Sequence, residues 1–227
     1  MNKKLITLIT SLAILTASVP VFASSNLDAK IPEQKNITTS AKPTTVNEFL
    51  NSDIGKDFKA TIIKDVPKDA QVMRFNNYED AYNYMKSIKK EFDSNFIKAS
   101  SNEASMLQSR KIGDGVDYYQ VGHATMPAKG TGTTSGTVKW RVPGASAQTV
   151  TSGHYFNYSN RKVTGSSRGS YISGVGLANW KPYYSGMTHP SRTQWYSTIR
   201  GQCGYFISVG GQNIGVSQRV ELTCICK

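Results

Sequence analysis

Two periods of apolar residues organise the chain, a helical one near its middle and an alternating one after it. Ala81, Met85, Ile88, Phe92 and Phe96 follow one another at spacings of 4, 3, 4 and 4 residues, so they share one face of an α-helix that packs on a neighbouring layer. The ends agree with that reading. Asn77 is placed to accept from first-turn amides, Glu79 and Asp80 lie at the positive end of the helix dipole, and Lys86, Lys89 and Lys90 follow towards the negative end. Before this helix, Val46 to Leu50 reads as a short helix, and Ala60 to Ile63 and Gln71 to Phe75 read as two strands of a small sheet.

After about residue 111 the helical period disappears and short alternating segments replace it. In Thr137 to Val142, Val138, Trp140 and Val142 point one way while Lys139 and Arg141 point the other, the pattern of a half-buried strand with a basic outer face. Gln148 to Tyr158, Ser170 to Leu177, Ser197 to Val209 and Ile214 to Cys226 read as further strands, separated by clusters of Gly, Pro, Ser and Asn. The fold expected is mainly β: an antiparallel β-sandwich or barrel-like domain over 111–227, preceded by a small α+β segment over 46–110. The last two strands are expected to form a hairpin around Gly210 to Asn213. Trp180 to Pro190 holds two prolines and a glycine among its aromatics and is expected to be a loop that exposes them.

The N-terminal pattern differs from both. Lys3 and Lys4, the apolar run from Leu5 through Leu15, and Val21-Phe22-Ala23 ahead of Ser24 have the order of a secretory signal peptide over residues 1–23. Pro20 and several Thr and Ser shorten the apolar stretch below the ~20 residues that a spanning helix needs. The expected product is a secreted, extracellular protein with no transmembrane segment after cleavage. Residues 24–45 are rich in Ser, Thr, Lys and Pro and read as a disordered spacer. Residues 98–111 are polar, end in Arg110-Lys111, and read as a linker.

Charge sharpens the division. Residues 24–110 carry 13 Lys and Arg against 12 Asp and Glu, whereas residues 111–227 carry 12 against 3. Between Asp117 and Glu221 lie 103 residues with ten Lys and Arg and no carboxylate side chain. The basic residues of this stretch are interleaved with aromatics, Trp140, Tyr155 and Tyr171 among them. Cations attract phosphates and carboxylates, and aromatic faces stack on sugar rings or enter a bilayer interface. The candidate binding residues are Lys139, Arg141, Arg161, Lys162, Arg168, Trp180, Lys181, Tyr183, Tyr184, Arg192, Trp195 and Arg200.

Candidates for covalent or metal chemistry are thin. His123, His154 and His189 stand on different segments with no compact ligand spacing, so neither a metal nor another cofactor is expected. A triad or a pair of hydrolytic carboxylates lacks its acids, and no catalytic residue is assigned. The three cysteines fall within the last 25 residues. In an oxidising compartment Cys203 is expected to pair with Cys224 or Cys226 and tie the final hairpin, leaving one thiol free to link two chains.

The leading reading is a secreted, non-catalytic protein that attaches to an anionic surface: cell-wall polymer, acidic glycan or lipid head groups. The alternative is a membrane-active or antibacterial toxin, with the alternating sequence between residues 131 and 176 as its amphipathic hairpin. A secreted hydrolase comes third.

Overall fold

The structure is a computed structural model that describes residues 42–68, 70–98, 115–145 and 147–227. The expected signal peptide, nearly all of the spacer, and the linker from residue 99 onward lie outside the described residues. The described chain falls within one compact unit, Ser40–Lys227. Its helices are α1 (Val46–Asn51), α2 (Asp53–Asp57) and α3 (Tyr78–Asn95). Its strands are β1 (Thr61–Ile62), β2 (Val72–Phe75), β3 (Ile97–Lys98), β4 (Tyr118–Ala124), β5 (Thr131–Arg141), β6 (Thr149–Ser159), β7 (Lys162–Ser173), β8 (Ala178–Ser191), β9 (Gln194–Val209) and β10 (Gln212–Cys226).

The long hairpin β9–β10 is the spine. Gly210 and Gly211 close it with φ of 56° and 83°, which is the left-handed pair that a two-residue type I′ turn requires and that glycine adopts without strain. Two strands then share each outer edge of the ribbon. β8 and β2 lie end to end along β9, while β4 and β1 lie along β10, and β3 extends the sheet beyond β4. This seven-stranded sheet A faces a three-stranded sheet B in the order β5-β6-β7. The molecule is mainly β, and its sheets do not close into a barrel. Most pairs are antiparallel, as expected, but β4 runs parallel to β10 and β2 parallel to β9.

Residues 46–98 do not stand apart from the β-domain. Phe92 of α3 packs on Tyr118 with ring centroids 5.0 Å apart, and Phe96 packs edge-on to Trp140 at 4.9 Å. The apolar stripe read from the sequence is the buried face, with Ala81, Met85, Ile88 and Phe92 all at 0 % exposure. Asn77 caps the helix by accepting from the Asp80 amide at 2.8 Å. The turn between β5 and β6 is clipped to the same helix: Tyr84 donates to the Gly144 carbonyl and the Gly144 amide donates to Glu91, both at 3.0 Å. The inner face of the spine is therefore covered in two parts. The helices and this turn take the end near Tyr205 and Gln218, whose side chains donate to the Pro143 and Asp57 carbonyls. Sheet B takes the end near Trp195 and Cys226.

Two expectations are corrected here. Trp180 to Pro190 is strand β8 rather than a loop. It is an edge strand whose register shifts between Pro182 and Tyr184 and between Thr188 and Ser191, and edges and bulges are where a ladder tolerates a residue without an N–H. The expected cystine is absent, and all three cysteines are free and buried. The two-residue turn sets Cys203 opposite Gln218, Cys224 opposite Ser197 and Cys226 opposite Trp195. Six positions along the strand, roughly 20 Å, then separate Cys203 from the level of Cys224, against the ~4.4–6.8 Å between Cα atoms that a disulfide spans.

The thiols instead fill the core. A Cβ at Gly136 of β5 would lie 2.4 Å from Cys224 Sγ and 2.8 Å from the His123 carbonyl oxygen, so glycine is what lets the two sheets meet there. Burial pushes the Cys203 and Cys224 thiols up to about 12, which suppresses the reactive thiolate. Thiol titration of the unreduced native protein is accordingly expected to find no group reacting within minutes, and three after unfolding in guanidinium. One thiol after unfolding would revive the cystine.

Candidate binding face

Sheet B has one covered face and one open face. Strand alternation and register place on the open face six rows of three residues, from Thr131, Ser159 and Lys162 at one end to Arg141, Thr149 and Ser173 at the other. Between them come Thr133, Asn157 and Gly165; Ser135, Tyr155 and Ser167; Thr137, Gly153 and Gly169; and Lys139, Thr151 and Tyr171. These eighteen positions hold eleven hydroxyl side chains and three cations, with no carboxylate and no aliphatic residue. Of the eighteen, Thr151 alone is buried. The covered face is opposite in kind, carrying Val138, Trp140, Val150, Phe156 and Val163 into the core.

Two tyrosines give the open face its relief. Tyr155 is 52 % exposed and Tyr171 60 %. A Cβ at Gly153 would come within 3.6 Å of the Tyr155 ring, so the ring leans across the glycine and turns its outer surface to solvent. Nothing lies within 4 Å of the place where a side chain would begin at Gly169. A ring laid beside an open glycine is a shallow platform of the kind that takes the apolar face of a sugar. Lys139 and Arg141 stand at one end of the face, and Lys162 with the turn residue Arg161 at the other.

The remaining candidates from the sequence divide. Lys181, Tyr183 and Tyr184 are exposed on β8, and Arg192 is exposed in the turn that follows it. Trp195 is buried at 3 % exposure beneath a parallel His189 ring 4.6 Å away. Trp180 is half-buried, donates to Ser170 Oγ at 2.9 Å and packs edge-on to Trp140. Arg200 is committed within the fold: its Nε donates to Glu221 Oε2 at 2.8 Å, Thr223 donates to the other carboxylate oxygen, and its guanidinium lies 4.6 Å from the centre of the Tyr184 ring. Glu221 is fully buried, and burial raises its pKa against the opposing pull of Arg200 and Thr223. Arg168 points to the inner side of β7, where no carboxylate among the described residues pairs with it.

A fully buried polar bridge also joins the sheets. His154 of β6 has 0 % exposure, with Nδ1 2.9 Å from Ser197 Oγ on β9 and Nε2 3.0 Å from Ser152 Oγ. Burial, and secondarily the charge of Arg168, bring its pKa down to about 4. The set resembles a serine–histidine pair in composition only. It is sealed from solvent, and serine stands where an orienting carboxylate would be needed. Among the described residues no group of three or more His, Cys, Asp or Glu side chains could hold a metal.

No family model, curated protein or solved structure matches the chain. The geometry carries the functional argument alone. Tyr155 and Tyr171 stood among the interleaved aromatics of the sequence but outside the candidate set. Their signal was parity: in β6 the odd positions are Thr149, Thr151, Gly153, Tyr155, Asn157 and Ser159, and the even ones include Val150, Phe156 and Tyr158.

Two expected outcomes test these assignments. His154 has a folded pKa below its ordinary 6.5, so its stabilising contribution is complete above pH 6.5 and is lost as pH falls towards 4, by about 3 kcal/mol at most. His154→Gln should flatten the urea-derived stability profile across that window relative to wild type. Arg200→Met should cost about 3–5 kcal/mol in the same assay by stranding the buried Glu221.

Proposed function

We propose that this protein is a secreted, non-catalytic binder of an extended, hydroxyl-rich anionic polymer, such as a cell-wall polymer or acidic glycan, which lies along the open face of β5-β6-β7. The observation that carries the reading is the composition of that face: eleven hydroxyls, two of them on exposed tyrosines, three cations and no carboxylate over six rows. Hydroxyls and Asn157 supply hydrogen bonds, the Tyr155 ring supplies a stacking surface, and the cations at both ends hold negative substituents. This face is uncovered by any described element and presents a regular array of polar groups to solvent. Burying so many hydroxyls against an apolar partner would leave them unsatisfied, which favours a ligand that is itself rich in donors and acceptors.

The reading of a membrane-spanning hairpin finds less support. A lipid-facing strand needs an apolar face of ~9 to 11 residues. The open face has none, and the covered face is interrupted by Ser152, His154, Ser166, Arg168 and Ser170.

The test is retention of the full protein on immobilised teichoic acid or heparin. Binding should weaken steeply with salt, because several condensed counterions are displaced. Tyr155→Ala should weaken it by up to about tenfold, the worth of one aromatic contact. Lys139→Ala combined with Arg141→Ala should flatten the salt dependence. Anionic vesicles should show no dye release at concentrations that saturate polymer binding. Retention indifferent to salt and to all three substitutions would refute the assignment.

A further inference from the structure

Sheets A and B part along one side, where β7 and β8 are the free edges of their sheets. The gap is a cleft of about 440 Å³ lined by Arg168, Gly169 and Ser170 from β7 and by Tyr183, Tyr184 and Ser185 from β8. Arg168 is the unusual member. It enters from the inner face of β7 beside His154, and one terminal nitrogen donates to Ser166 Oγ. Its Nε is buried with no hydrogen-bond partner. Burial lowers its pKa, yet a guanidinium remains charged at any physiological pH. Folding has thus drawn a cation partly out of water without giving it an anion, an arrangement that costs free energy unless a ligand supplies the missing charge.

We propose that the β7–β8 cleft binds a single oxyanion, carboxylate or phosphate, carried on a sugar. The guanidinium is planar and presents paired donors to either group. Tyr183 is 51 % exposed and Tyr184 40 %, which leaves ring surface for the body of the sugar, and the hydroxyls of Ser170 and Ser185 lie on either side. The neighbouring cation Arg200 does not compete, being held by Glu221. Cleft and open face share Gly169. Its missing side chain leaves the edge of β7 clear, so a substituent of a polymer lying beside Tyr155 can turn over that edge and reach Arg168. The choice of a sugar as carrier rests on the polymer reading above, whereas the oxyanion site rests on the cleft alone.

Calorimetry and NMR of the full protein with sodium glucuronate, glucose 6-phosphate and uncharged glucose test the proposal. The Arg168 Nε–H resonance, assigned by its loss in Arg168→Gln, should shift saturably with at least one of the anions and stay unmoved by glucose. Whichever of glucuronate and glucose 6-phosphate binds more tightly identifies the oxyanion. Arg168→Gln should weaken anion binding at least tenfold. Ser185→Tyr fills the cleft from an exposed position while leaving the Arg168 side chain in place and should do the same, so it decides the matter if the Arg168 variant fails to fold. Tyr155→Ala should leave the monosaccharide anions bound. Failure of both anions to bind wild type, or unchanged binding in Ser185→Tyr, overturns the cleft. Polymer retention with no anion binding overturns the cleft and leaves the open face standing. Anion binding with no polymer retention overturns the open face alone.

Discussion

Everything in this fold depends on the register of β9 against β10. The glycine pair at the turn leaves two residues to reverse the chain, and that fixes the partner of every position from Val209 and Gln212 down to Trp195 and Cys226. A slip by one residue would carry Tyr205, Ile207, Val220 and Leu222 from the core to the opposite face. β8, β2, β4 and β1 all take their places along this ribbon. The helices and sheet B then divide its inner face between them. A local turn therefore organises contacts that join residues more than 100 apart in sequence, such as Arg219 with Asp117.

The elements whose signals are local were legible in the sequence. The stripe from Ala81 to Phe96 became the buried face of α3, and the alternation around Trp140 became β5 with its cations outward. The final hairpin was legible in its strands and in the location of its turn, but its register was open among several choices. Composition ranks Cys203 against Cys224 by chemistry, whereas backbone geometry ranks them by turn length, and geometry prevailed. The integration of residues 46–98 into sheet A was hidden for a different reason. Parallel partners such as β2 and β9 lie far apart in the chain, and nothing within either segment announces the other. β8 was misjudged because Pro182 and Pro190 are strong breakers in a central strand and tolerable on an edge.

The candidate sites show the same boundary. The long stretch without acids runs through both candidate sites, and parity within β6 separates the exposed Tyr155 from the buried Phe156. The sequence did not reveal which cations were already spoken for. Arg200 and Arg168 look alike as letters, yet one faces a buried glutamate across the ladder and the other faces an open seam. That distinction arises only when the sheets are stacked, because it depends on which edge strand lacks a further neighbour. Trp195 illustrates the converse: an aromatic among cations became core because its strand is central there.

The open face of sheet B is a lattice with two spacings, roughly 6.6 Å between like-facing residues along a strand and ~4.8 Å between strands. Recognition by a lattice differs in kind from recognition by a pocket. Were a chain to bind as proposed, moving it by one row would exchange one set of hydroxyls for another of similar kind, so several registers would have similar energy and the complex would keep translational freedom along the strands. Specificity for length follows more readily than specificity for sequence, since contacts accumulate until the six rows are filled. What would break the degeneracy is the pair of exposed rings, Tyr155 leaning beside Gly153 and Tyr171 on the neighbouring strand, which stand as detents on an otherwise low track. On the proposed reading, a chain held in this way would stay attached while it creeps along the face.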